Sequence, residues 1–247
     1  MTVILSHQYK LVRKTRLSKS QFEAEYDNGR RDFRYSILED VDLRDRLWGI
    51  DLRYSDLTQV RNLPDVMMKV NLTGANLEGV NLQGINLSHS ILAAANLKTA
   101  QFNGANLEGV SLSRAILDRT CFDYACLNGV NLAKAKVNRT NFNHSYLVGA
   151  DLHKTQFQGC NFARANLEDS NLSHAKLQDS NLSWANLYGT NLYKCSFGGS
   201  NLTHADLDKS NCDRANFRNA NLDSLRLPYG ITLTKSIDRP KTKSRDR

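Results

Sequence analysis

No stretch of the 247 residues approaches the roughly 18 consecutive apolar positions of a membrane-spanning helix, so no bilayer segment is expected. Met1 to Arg16 mixes apolar and basic residues without an apolar core leading to a cleavage site, so no secretory signal is expected either. The five cysteines (Cys121, Cys126, Cys160, Cys195, Cys212) form no Cys-x-x-Cys pair and are odd in number. That usage fits reduced thiols in a cytoplasmic protein. Catalytic signatures are missing as well: no HExxH, GxSxG, GxxxxGK(S/T) or GxGxxG occurs. His89, His144, His153, His174 and His204 are scattered, and no carboxylate flanks His144 or His204 as a metal site would need. The chain therefore reads as non-enzymatic, without cofactor or metal. Proline is scarce, at three residues, while asparagine and leucine are abundant, and that bias points to a repeat.

The net charge of +8 misrepresents the body of the chain. Residues 1–35 hold eight Lys/Arg against four Asp/Glu, and residues 226–247 hold seven against two, which leaves 18 against 19 between them. Basic character is concentrated at the two ends.

From Val70 the sequence falls into fives: VNLTG, ANLEG, VNLQG, INLSH, SILAA. The third residue recurs from Leu72 to Leu222 in 31 consecutive repeats, and is Leu or Phe except at Val137 and Cys212. The first residue is always Ala, Val, Ile, Ser, Thr or Cys, and the second is most often Asn. A period of five suits neither a helix nor a simple strand. It suits a solenoid in which each five makes one short side and a turn. First and third residues, two apart, point inward together, and the other three point outward. A unit this short cannot bury its apolar face alone, so coils must stack.

These residues resemble the pentapeptide-repeat family, whose consensus is A(D/N)LXX. The resemblance implies an all-β solenoid: a right-handed quadrilateral β-helix with four repeats, or 20 residues, per coil. Residues 70–229 would then make eight coils spanning roughly 38 Å at strand spacing. Asp32-Phe33, Ser36-Ile37-Leu38 and Val41-Asp42-Leu43 extend the pattern upstream in a register offset by one. One residue is lost near Leu47-Trp48, Asn62 falls at a core position and Pro64 follows it, so residues 44–68 are expected to form a distorted coil. The expected organisation is 1–30 as an N-terminal segment with a capping helix, 31–229 as β-helix, and 230–247 as a basic, disordered tail. Ser20-Gln-Phe-Glu23 has the form of a capping box, and Asn28-Gly29 of a helix stop, which predicts a short α-helical cap over about 20–28. Leu225, Leu227, Tyr229, Ile231 and Leu233 are expected to close or pair the last coil, the likelier homodimer contact.

Residues 20 apart should stack. Phe102, Phe122, Phe142 and Phe162 predict an inward aromatic ladder, and Asn141, Asn161, Asn181, Asn201 and Asn221 an outward amide ladder. Cys160, Cys195 and Cys212 fall inward as inert thiols, and Cys121 and Cys126 outward. Gly109, Gly129, Gly149 and Gly189 mark a smooth corner. Two outward columns are candidate interaction surfaces. Arg114, Lys134, Lys154, His174, Lys194 and Arg214 form a basic stripe, with Asp118, Asp151 and Asp213 as candidate partners. Tyr124, His144, Arg164, Trp184 and His204 have the composition of a protein interface.

These features favour a protein-interaction module, a rigid rod presenting side-chain columns to an unidentified protein partner. The short helix followed by Gly-Arg-Arg-Asp-Phe and repeats looks like cyanobacterial members of the resembled family, some of which are implicated in regulating cell differentiation. Nucleic-acid binding through the basic tails and stripe is the alternative. The gyrase-protecting branch of the family resembles DNA through a strongly acidic surface, and the near-neutral body here disfavours that role.

Overall fold

The computed structural model describes residues 14–229, apart from Trp48. The chain winds into a right-handed quadrilateral β-helix with four five-residue repeats per coil. Within a repeat, the first and third residues face inward; Ala105 and Leu107 are 1% and 0% exposed. The second residue makes the rungs: Asn106 bridges in parallel to Asn86 below and Cys126 above. Fourth and fifth residues form the corner, closed by the next repeat's amide, as when Val110 N–H donates to the Leu107 carbonyl at 3.1 Å.

The preference for Asn at the second position has a local cause. Its Oδ1 accepts the amide of the fourth residue, as Asn106 does from Glu108 at 3.1 Å, and this Asx turn bends the chain into each corner. The fifth residue completes the bend with positive φ, at every position from Gly74 to Ser224, between 51° (Arg139) and 71° (Gly79). That is the requirement of a type II turn, and glycine meets it without strain.

The core is one continuous cluster from Leu17 to Ala220. Successive rings of Phe102, Phe122, Phe142 and Phe162 stack at 5.1, 5.2 and 4.6 Å between centroids. Each such pair contributes about 0.5–1.5 kcal/mol beyond burial. Threonine and serine fit the first position because a carbonyl one coil below accepts the hydroxyl: Thr120 to Leu97 at 2.8 Å, Thr155 to Leu132 at 2.9 Å, Ser180 to Phe157 at 2.6 Å. The amide ladder runs from Asn141 to Asn201 in steps of 3.0, 3.2 and 3.3 Å, and the bond at its lower end goes to Cys121 Sγ.

The first two coils break the regular step. Asp32 bridges to Asp51 and Ile37 to Asp56, each 19 residues on, whereas Asp42 bridges to Asn62, 20 on. Leu47 packs partly buried against the core and its carbonyl accepts the Ile50 amide, so the repeat after Leu43 is one residue short. Asn62 is not a core residue: it faces outward, donating to Asp42 Oδ2 at 2.9 Å, and Leu63 packs inward in its place. A long step from Leu57 to Leu63 is offset by a short one to Met67, which restores the register.

The N-terminal end carries a strand as well as a helix. Strand β1 (Thr15–Ser18) pairs in parallel with β2 (Ser36–Glu39), the second side of the first coil. Helix α1 (Lys19–Asp27) follows at once. Its capping box is Ser18 with Gln21, not Ser20 with Glu23, because β1 delivers Ser18 in extended conformation to the first helical turn. Phe22 is fully buried, 4.7 Å from the Phe33 ring, and so closes the top of the core. The expectations for residues 230–247, including Ile231 and Leu233, lie outside the described residues.

Candidate interaction surfaces

Both candidate columns stand at fifth positions, so both project from corners with positive φ. Arg114, Lys134, Lys154, His174, Lys194 and Arg214 are all exposed, at φ from 55° to 62°. Left-handed backbone disfavours such residues by roughly 1 kcal/mol or more each relative to right-handed backbone. A long charged side chain at every step of this corner therefore runs against the local backbone preference.

The expected partners do not neutralise the stripe. Asp118 accepts from Asn138 at 2.9 Å, and Asp151 is 2.7 Å from His153. Asp213 has no ion pair to the stripe among the described residues. The contacts the stripe does make are with Tyr193: His174 meets its ring edge-on at 5.6 Å, and Lys194 Nζ lies 5.1 Å from its centroid.

The aromatic column is two stacked pairs split by an arginine. Tyr124 stacks on His144 at 4.7 Å and Trp184 on His204 at 4.1 Å, with Arg164 between the pairs. Tyr124 and Trp184 remain 59% and 57% exposed, enough to contact a partner through ring faces and edges. On the adjoining fourth side Tyr146 is 52% exposed. A cleft of about 460 Å³ lies against Trp184, His204, Tyr188, Glu168 and Asp206. With the first to fourth sides running through Ser111, Ile116, Cys121 and Cys126 in one coil, the stripe occupies the corner between the first and second, and the aromatic column that between the third and fourth. They are diagonally opposite, so no single flat surface touches both.

Reading columns singly missed what lies between them. On the second side Lys136 and Lys176 stand at second positions, and Arg119 and Arg139 line its far corner. Comparing neighbouring columns across one side, rather than along the rod, was the signal that would have found them. The three inward cysteines are buried as their positions imply, and burial pushes Cys160 up to about 12 and raises Cys195 and Cys212. Among the described residues, no group of three His, Cys, Asp or Glu could hold a metal ion, and no helix is long and apolar enough to cross a membrane.

A stack of square coils whose varied side chains stand at the corners defines a β-helical solenoid of five-residue repeats. This chain belongs to the pentapeptide-repeat family: the model for pentapeptide repeats matches it in eight copies, over residues 71–109, 95–132, 125–164, 155–192, 165–203 and 195–227. Among solved structures it is similar to HetL, a pentapeptide repeat protein involved in heterocyst differentiation regulation from the cyanobacterium Nostoc, with 25% identity over 86% of this chain and 93% of that one and a TM-score of 0.54. It also matches full-length QnrB1, a plasmid-mediated fluoroquinolone resistance protein, with 19% identity over 66% of this chain and 93% of that one and a TM-score of 0.30. No curated protein sequence matches the chain significantly.

Proposed function

We propose that the chain is a non-enzymatic protein-interaction module, a rigid rod that binds a protein partner along its aromatic corner. The observation that carries this is the exposed Tyr124, His144, Arg164, Trp184 and His204 column, continued by Tyr146 on the fourth side. Tyr, Trp and Arg dominate interface energetics, and here the rings are held by stacking, so little side-chain entropy is lost on binding. A regulatory role is supported by the likeness to HetL, which is involved in heterocyst differentiation regulation. The near-neutral body speaks against a DNA-mimicking, gyrase-directed role.

Affinity capture from the native cell lysate tests the module. The Trp184→Ala, Tyr124→Ala double variant should lose a protein that the unmodified chain retains, and an unchanged set of captured proteins removes the aromatic corner as the site. A homodimer contact is proposed at the last coil, where Leu222 and Leu225 are only partly buried, unlike Leu202 and Ala205 one coil below. Sedimentation showing a monomer at high concentration would oppose it.

A further inference from the structure

We propose that the second side of the β-helix, from Arg114 to Asn219, is a docking face for duplex DNA, held through its phosphates without reading the bases. This does not rest on the aromatic corner, which is diagonally opposite the stripe that borders this face.

The basic stripe forms one rim of the face, Lys136 and Lys176 stand in its middle, and Arg119 and Arg139 form the other rim. Leaving His174 and Arg218 aside, nine lysines and arginines face Asp118 and Asp179 alone, although the body of the chain as a whole is close to neutral. None of the nine is ion-paired within the described residues. Like charges stacked at about 4.8 Å repel one another at ordinary ionic strength, and an anionic partner laid along them removes that repulsion.

Charge spacing selects the partner. Arg114 to Arg214 is five coil steps, about 24 Å at strand spacing. The excess of seven positive charges over that length is about one per 3.4 Å, the axial spacing of phosphates along one strand of B-form DNA. An acidic protein fits less well, because none of the exposed large hydrophobic side chains lies on this side, and protein interfaces need an apolar core. Single strands fit less well too: Phe157, Phe197 and Phe217 of this side are fully buried, and Tyr193 at its rim is the one aromatic ring beside the stripe among the described residues, too few for successive bases to stack on. What it offers besides charge is amides. Asn138 and Gln158 line a cleft of about 650 Å³ with Arg119 and Arg139, and a second cleft continues it past Asp179 and Gln178. Gly159, Gly198 and Gly199 keep these clefts open by bearing no side chain. Amide and guanidinium donors along a flat basic face are backbone-positioning contacts, carrying no sequence information.

The test is fluorescence anisotropy of the full chain with a labelled duplex of about 24 base pairs, titrated from about 50 to 200 mM salt. Binding should be sequence-independent, with log K falling against log salt with a slope of about −4.5 to −6.3, as roughly five to seven phosphate contacts require. The triple variant Lys136→Glu, Lys154→Glu, Lys176→Glu should bind at least tenfold more weakly. Arg61→Glu, Lys69→Glu, Lys209→Glu changes net charge equally but lies off this face, and should stay within threefold of the unmodified chain. Circular dichroism melting checks that both remain folded. Should the Glu variant unfold, the corresponding Gln variant carries the same expectation of weaker binding. The proposal is overturned by no duplex binding at the lowest salt, by equal losses in the two triples, or by tighter binding to polyglutamate, single strands or duplex RNA than to duplex DNA.

Discussion

In the first two coils an arginine at the fourth position of a repeat folds back on the aspartate at the second. Arg34 meets Asp32 at 2.6 Å, Arg44 meets Asp42 at 2.5 Å and Arg53 meets Asp51 at 2.6 Å. From the third coil on, Asn is the commonest second residue, and from Arg114 on basic residues recur one place along, at the fifth position. A fourth-position side chain leaves the corner on the side it shares with its own second residue. A fifth-position side chain, after the turn to positive φ, stands at the corner itself, and none of the lysines and arginines from Arg114 to Arg214 at that position makes such a bracket with the second residue of its own repeat. Moving a charge by one residue thus decides whether it is consumed inside the repeat or offered outside it. The same two regions differ in step: the early coils mix short and long repeats, and the later ones keep strict fives, with a backbone bridge every 20 residues.

The comparison breaks first, and by most, in the core. Phe142 stacks on Phe122 and Phe162 and meets Phe157 edge-on at 6.1 Å, so Phe142→Ala should cost about 3–5 kcal/mol in chemical denaturation. Leu63→Ala in the irregular coil, where the side chain is only partly buried, should cost less than half as much. Equal losses would mean that the irregular coil packs as tightly as the regular ones.

Next come the rungs. Asn161 accepts from the Ala163 amide at 3.1 Å and from Asn181 at 3.2 Å, and donates to Asn141 at 3.0 Å. Asn161→Ala removes all three bonds in a half-buried ladder and should cost about 1–3 kcal/mol. Arg44→Ala removes an exposed ion pair in the early coils and should leave the denaturation midpoint almost unchanged. A reversal of that order in denaturation midpoints would show that the charged brackets, rather than the amide ladder, hold the coils together.

How much of this was legible in the sequence follows from what is periodic. Inward Leu107, the Phe102–Phe162 ladder and outward Trp184 all follow from counting in fives, because every repeat solves the same local problem with the same turn. Asn62 misled because a strict count cannot register a long step followed by a short one; only the pairing of Asp42 with Asn62 reveals it. The cap was misplaced by two residues because Ser18 becomes the N-cap through β1, and β1 exists only by pairing with Ser36–Glu39, a contact no local pattern records. The basic second side was missed for a third reason: Lys136, Lys176, Arg119 and Arg139 belong to different columns, and become neighbours only when the square is closed.

The smallest expected effect is the response of the brackets to acid. The hydrogen bonds from Arg34 hold Asp32 down to about 2, those from Arg44 lower Asp42, and those from Arg53 lower Asp51 against the opposing effect of burial. A carboxylate depressed in the folded state adds stability that is fully present above its unfolded value of about 3.9 and is lost as pH falls through the folded one. The first two coils should therefore loosen between about pH 4 and pH 2, and only modestly, since these pairs are largely solvated. Pepsin, active across that window, supplies the measurement: cleavage mapped by mass spectrometry should appear first between Arg31 and Leu57 as the pH drops. If the earliest cuts fall instead among the coils from Arg114 to Arg214, the brackets contribute nothing to holding the early coils, and the contrast between consumed and offered charge would apply to the surface alone.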